Sequence, residues 1–203
     1  IWPDCDTAQG RFKIALHRLR KALEPRYEPC LGSTYVHLSQ DRVFLDQELV
    51  DIDVSKFEDH FRQAGICEDR GEVSTALSHY AQALEDYQGD FLPEETLAPW
   101  AESKRTSLKS KYSGALMACA RLHKQRGANS RALALYQRAV EENPLAEEAF
   151  RQLIILYTNM KLYNEAIQAF ETCKANLRSH LGTDPDPLTV SLWKKALSSR
   201  QAK

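Results

Sequence analysis

The chain has 203 residues, with 27 Lys and Arg against 28 Asp and Glu and a hydrophobic fraction of 43%. That length allows one or two domains with a sizeable core. The composition is that of an ordinary globular protein, and no apolar run approaches the ~20 residues that cross a bilayer. The chain opens at Ile1 with neither Met nor a basic-then-apolar leader, and is expected to be a piece of a longer protein.

Cys5, Cys30, Cys67, Cys119 and Cys173 are odd in number, scattered and without metal-site spacing, so inert thiols in a reducing cytoplasm are expected. The near-zero net charge hides an uneven distribution. Residues 9–26 carry six basic residues against Glu24, residues 43–98 carry fourteen acidic and three basic ones, and from Pro99 onward seventeen basic face nine acidic. Such asymmetry marks either a nucleic-acid face or segments that neutralise one another in the fold.

In chain order, 7–23 reads as a helix capped by Asp6 or Thr7 and stopped by Pro25. Ala8, Phe12, Ala15, Leu16, Leu19 and Leu23 form an apolar back, and Lys13, His17, Arg20 and Lys21 a basic front, with Arg11 and Arg18 at its margins. Residues 34–38 and 42–45 are rich in β-branched and aromatic side chains and predict a hairpin turning through Ser39-Gln40-Asp41. A linker, 46–53, leads to a helix opening at Val54 under an Asp53 cap, with Phe57, Phe61, Ala64 and the Ile66/Cys67 pair inward, ended by Gly71. A partner helix spans 72–87 and a long one 99–126, with Trp100, Leu108, Tyr112, Ala115, Leu116, Cys119 and Leu122 as its stripe. Further on, Leu181-Gly182 stops a helix and Asp186-Pro187 starts the last one, whose Leu188, Leu192, Trp193, Ala196 and Leu197 are expected to dock over the end of the stack.

An internal repeat governs this order. Ala132 and Tyr136 recur as Ala166 and Phe170, 34 residues on, and Cys173 takes the slot of Ala139. Gly71, Ala76, Tyr80 and Ala83 recur as Gly127, Ala132, Tyr136 and Ala139, 56 residues on, so 22 residues are inserted after the first copy. A 34-residue period of small, aromatic and small positions is the tetratricopeptide signature: small residues let antiparallel helices approach, and the aromatic fills the groove between them. The fold class is therefore mainly α, a tetratricopeptide-like helical repeat array with a small N-terminal helix and β-hairpin.

Two resemblances add to this. Trp2-Pro3-Asp4 followed by Ala15-Leu16-His17-Arg18-Leu19-Arg20-Lys21-Ala22-Leu23-Glu24-Pro25 looks like the recognition helix of the response-regulator type of winged-helix DNA-binding domain, of which about the last half would be present. Tyr87-Gln88-Gly89-Asp90-Phe91-Leu92, then Trp100-Ala101-Glu102, Arg105, Leu108 and Tyr112, closely resemble the bacterial transcriptional activator domain, over about 51–197. The resemblance implies a partial winged-helix region at 1–50 and the activator domain at 51–203. It also implies that the inserted residues simply lengthen the third helix of the array.

By that resemblance the chain is the C-terminal part of a bacterial transcriptional regulator. Arg11, Lys13 and His17 would face bases, Arg18, Arg20 and Lys21 phosphates, and Arg42 on the hairpin is a further DNA-binding candidate. The partners implied are double-stranded DNA, through the complete parent, and a protein partner or a second copy through the repeats, in the cytoplasm and without a membrane. For the fragment alone, a solvated amphipathic helix is the preferred reading of 7–23. Lys104, Arg105, Lys109 and Lys111 are expected to face the acidic first repeat or solvent rather than a second nucleic-acid surface. Cys119 and His123 sit four apart on one helix, but no third ligand accompanies them, and satisfied or solvated histidine is preferred there and at His60 and His79. No phosphate loop, nucleophile elbow or His-Glu-x-x-His is present, so no enzyme activity, cofactor or metal is expected. The rival reading is a tetratricopeptide interaction scaffold that binds no DNA and whose N-terminal helix caps the stack.

Overall fold

The computed structural model describes residues 8–30, 32–39, 42–46, 48–94 and 98–201. Its contacts divide it into two units, Ile1–Ile52 and Asp53–Lys203. The first holds α1 (Ala8–Leu23) and the hairpin β1 (Val36–Ser39) and β2 (Arg42–Leu45), paired antiparallel with Val36 opposite Leu45 and Ser39 opposite Arg42. The expected cap, Asp6 or Thr7, and the turn residues Gln40 and Asp41 lie outside the described residues.

The first unit is thinly packed. Among the described residues only Leu16, Tyr27 and Val36 are buried, and Phe12 is half-buried; Ala15, Leu19 and Leu23 of the expected apolar back are exposed. One helix against one hairpin covers a single line of side chains, here the line through Leu16. Polar contacts supply the rest. Glu24 accepts hydrogen bonds from the Ser33 hydroxyl and from the Thr34 and Tyr35 amides, the last two at 3.0 and 3.3 Å. This moves the start of β1 to Val36, later than the expected Thr34, because those two N–H groups are turned to the carboxylate and not to the ladder.

The described residues of the second unit form seven helices: α2 (Asp53–Asp69), α3 (Val73–Asp86), α4 (Pro99–Gln125), α5 (Asn129–Glu142), α6 (Glu147–Asn159), α7 (Tyr163–Leu181) and α8 (Pro187–Gln201). Three antiparallel pairs, α2/α3, α4/α5 and α6/α7, repeat one turn. At its tip the amide of Glu72, Ala128 or Leu162 reaches back five residues, to the carbonyl of Cys67, His123 or Tyr157, at 2.8–2.9 Å. The residue before it is left-handed: Gly71 at φ 74°, Gly127 at 75° and Lys161 at 60°. This closes the helix C-terminus by a Schellman pattern. Glycine takes that conformation freely, and Lys161 takes it against the clash of its Cβ.

The slots read from the repeat are filled as expected. Ala76, Ala132 and Ala166 are wholly buried, as are Ala83 and Ala139, with Cys173 in the equivalent place, and Tyr80, Tyr136 and Phe170 lie buried between them. The insertion is shared between two elements. Helix α4 has 27 residues against 13 in α6, and connection 87–98 has twelve against four in 143–146, so the helix supplies fourteen of the extra residues and the loop eight. Trp100 does not join the α4 stripe; it is 61% exposed and Ala101 takes the inward position, one residue being about 100° around a helix. At the far end Leu188 is likewise exposed. Thr189 is buried in its stead, donating to Glu147 Oε1 at 2.5 Å, while Asp186 N donates to the same oxygen at 2.7 Å. Trp193 stacks on Phe170 with centroids 4.7 Å apart, which seats α8 on the last pair.

Two outcomes follow for stability. Ala132→Leu overpacks a zero-exposure contact and should lower stability by about 1–3 kcal/mol; an unchanged urea midpoint would contradict the tight approach of α4 and α5. Lys161→Gly should raise stability by about 1 kcal/mol by removing left-handed strain, read as a higher thermal midpoint, and a lower midpoint would count against a strained turn.

Candidate functional site

Helix α1 carries the basic residues singled out in the sequence. Measured round the helix from Leu16 at about 100° per residue, Lys13 stands about 60° away, His17 about 100°, Lys21 about 140°, Arg18 about 200° and Arg11 about 220°, one arc from the flank of the buried side to the far side, and all five are exposed. No acidic residue stands in its first turn, and Arg20 and Lys21 occupy its last, where cations complement the helix dipole. The hairpin brings a further cation, the exposed Arg42, at the turn end of β2.

Arg20 is placed differently from the other five on α1. Its Nε and Nη2 both donate to the Val36 carbonyl, at 3.2 and 3.1 Å, and Nη1 donates to the Tyr27 hydroxyl at 3.3 Å. Its guanidinium also lies 5.7 Å from the Tyr27 ring centroid. Arg20 thus ties the helix to the first strand of the hairpin, and the His17 ring meets the edge of Tyr27 at 5.9 Å. Glu24, one turn on, has its carboxyl held down to about 2, first by the Ser33 hydroxyl and then by the Thr34 amide. The sequence signal for this brace was slight: Glu24 is the one acid in a basic stretch, and its partners lie across a loop.

In the second unit the basic α4 meets acidic α2. Glu58 accepts from Lys104 at 2.7 Å and from Lys111 at 2.5 Å, and Glu68 pairs with Arg121 and accepts from the Tyr80 hydroxyl at 3.1 Å. Arg105 instead pins the connecting loop, donating to the Phe91 and Leu92 carbonyls at 2.7 and 2.8 Å. A groove of about 640 Å³ runs past Met117, Arg121 and Lys124 of α4, Tyr136 of α5, and Glu148 and Gln152 of α6. Lys124 donates to Gln152 at 2.7 Å across it.

Among the described residues, no three His, Cys, Asp or Glu side chains are gathered for a metal ion. Burial pushes the Cys119 thiol up to about 11, the wrong direction for a thiolate ligand to partner His123. His60 Nδ1 lies 2.7 Å from Asp86, joining α2 to α3. No described helix is long and apolar enough to cross a membrane.

The model of one protein family, the bacterial transcriptional activator domain, matches residues 52–197. The chain belongs to this family. The activator domain thus covers all three helical pairs and most of α8. Among solved structures, the chain is similar to EmbR of Mycobacterium tuberculosis, solved in complex with a low affinity phosphopeptide, with a TM-score of 0.73 at 21% identity. That match takes in 98% of this chain and 53% of the other, so the chain spans about half the length of that relative. It is also similar to the TPR2B domain of yeast Sti1, solved as a pHsp70 complex, with a TM-score of 0.51 at 14% identity, over 72% of this chain and 99% of that one. At these identities the likeness is one of fold. No curated protein matches the chain.

The Glu24 brace gives the first unit a defined acid response. A carboxyl lowered from 4.5 to about 2 contributes stability above its unfolded value, and that contribution is lost as pH falls through the folded one. The Thr34 and Tyr35 amide resonances should therefore titrate with a midpoint near 2, and Glu24→Gln should abolish the transition. A midpoint at the ordinary carboxylate value would remove the brace.

Proposed function

We propose that this chain is the C-terminal part of a cytoplasmic bacterial transcriptional regulator in which a winged-helix region at 1–50 reads double-stranded DNA and the activator domain at 51–203 associates with a protein partner or a second copy. The family membership supports regulation of transcription. The observation that carries the DNA reading is the disposition of α1: five exposed basic side chains in one arc from Lys13 through His17 and Lys21 to Arg18 and Arg11, with Arg20 spent on holding the helix to Val36. Cations on one side of a helix neutralise phosphates, and Arg, Lys and His reach base edges in the major groove. In this reading Arg11, Lys13 and His17 face bases, Arg18, Lys21 and Arg42 face phosphates, and Arg20 positions them.

The groove past Arg121, Lys124 and Tyr136 supports the partner half of the proposal. Both similar structures are described as complexes with a peptide or a partner protein. The same groove favours the rival reading, an interaction scaffold without DNA binding. Selection of duplexes from a random pool, with the chain extended upstream in its parent, separates the two: a defined site is the outcome of the regulator, and nothing above background from a folded protein that of the scaffold. In the parent, Lys13→Ala with His17→Ala should weaken binding to the selected site at least about tenfold with the fold intact; equal binding would take α1 out of the interface.

A further inference from the structure

A chamber opens at the Gly89-Asp90-Phe91-Leu92 turn, the loop that Arg105 pins. About 340 Å³ in volume, it lies between the start of α2, the end of α3, the loop that follows, and Leu108 of α4, and that volume falls within the range of small-molecule sites. Its interior is apolar and aromatic. Phe57 and Leu108 are buried, the Phe57 ring is 5.4 Å from Tyr87, and Phe91 completes the wall. The loop is held in shape by the two hydrogen bonds from Arg105, with Leu92 left-handed at φ 48°.

The charged residues that line it are three carboxylates, Asp53, Asp86 and Asp90, and no basic residue does. Asp86 is held by His60. Asp53 accepts only its neighbour's amide, Val54 N at 2.7 Å, and Asp90 accepts the Tyr87 hydroxyl at 3.4 Å, so neither meets a cation among the described residues. Helix α3 ends here with Glu85 and Asp86 and no basic residue in its last turn. Its carbonyl end and those acids therefore add to one negative field. Burial and then the charge of Asp90 push the Tyr87 hydroxyl up to about 12, consistent with that field.

We propose that this chamber binds a small organic cation, an ammonium with an aryl or alkyl body, its apolar part against Phe57, Phe91 and Leu108 and its charge between Asp53 and Asp90. The carboxylates repel an anion and attract a cation, whereas a neutral ligand gains the apolar contact alone, since Asp53 and Asp90 are exposed to water. A bare metal ion needs ligands converged on one point, and the described residues form no such group. A bulky ammonium tolerates carboxylates set apart and gains from the aromatic faces as well.

The test titrates benzyltrimethylammonium into the 203-residue chain, following the aromatic resonances of Phe57, Tyr87 and Phe91, beside its neutral isostere neopentylbenzene and benzoate. Saturable shifts by the cation are expected, with affinity at least about tenfold above that of the isostere, and none by benzoate. Asp53→Asn with Asp90→Asn keeps both side chains able to accept their present hydrogen bonds and should lower cation affinity about fivefold or more without moving the melting midpoint. Equal binding of the isostere, undiminished affinity in the variant, or no saturation by about 10 mM would overturn the proposal. The ligand comparison needs no variant and stands even if the double substitution fails to fold.

Discussion

The distance between paired helices in the second unit is set by side chains of almost no size. Ala76, Ala132 and Ala166, wholly buried, allow each pair a close approach, and Tyr80, Tyr136 and Phe170, one turn along, fill the space that this approach leaves. With that distance given, the turn at the tip of each pair has little freedom, and the left-handed residue at 71, 127 or 161 closes it the same way each time. The ion pairs of Glu58 and Glu68 with α4 lie on top of this packing and are individually weak. The groove past Arg121 and Tyr136 depends on it too, since its walls come from helices whose separation the alanines decide.

The first unit is held by the opposite means. Its described residues bury three apolar side chains, and two charged residues one turn apart supply joints between them. Arg20 reaches the Val36 carbonyl and Glu24 the amides just before it, so the start of β1 is held from both its donors and its acceptor. The remaining basic residues of α1 are exposed, while Arg20, about 40° round from Leu16, is half-buried against the hairpin. A basic helix of this kind has a defined face only as long as those polar joints hold.

The repeat is broken at one place, the connection 87–98 and the start of α4, and several departures from regularity gather there. Leu92 is left-handed, Trp100 is exposed, Arg105 serves backbone carbonyls, and a chamber opens over Phe57 and Leu108. Local rules are relaxed most often where a protein meets something else. The other two helical pairs, joined by four residues, offer no such interruption.

Much of the fold was legible in the chain itself. The spacing of Ala132 and Tyr136 to Ala166 and Phe170 set the pairs, the glycines at 71 and 127 their turns, and Asp186-Pro187 the last helix, because each rests on local sterics that a residue type carries with it. The basic residues of α1 were legible as a set for the same reason. What only the tertiary structure decided is which of them is free and which apolar residues are inside. Arg20 turned inward because Val36, in a strand sixteen residues away, presents a carbonyl to it. Trp100 and Leu188 are turned outward because Ala101 and Thr189, one residue on, hold the buried positions. The division of the inserted residues between helix and loop, and the chamber that the loop encloses, arise from contacts between segments far apart in the chain, and periodicity along one segment carries no record of them.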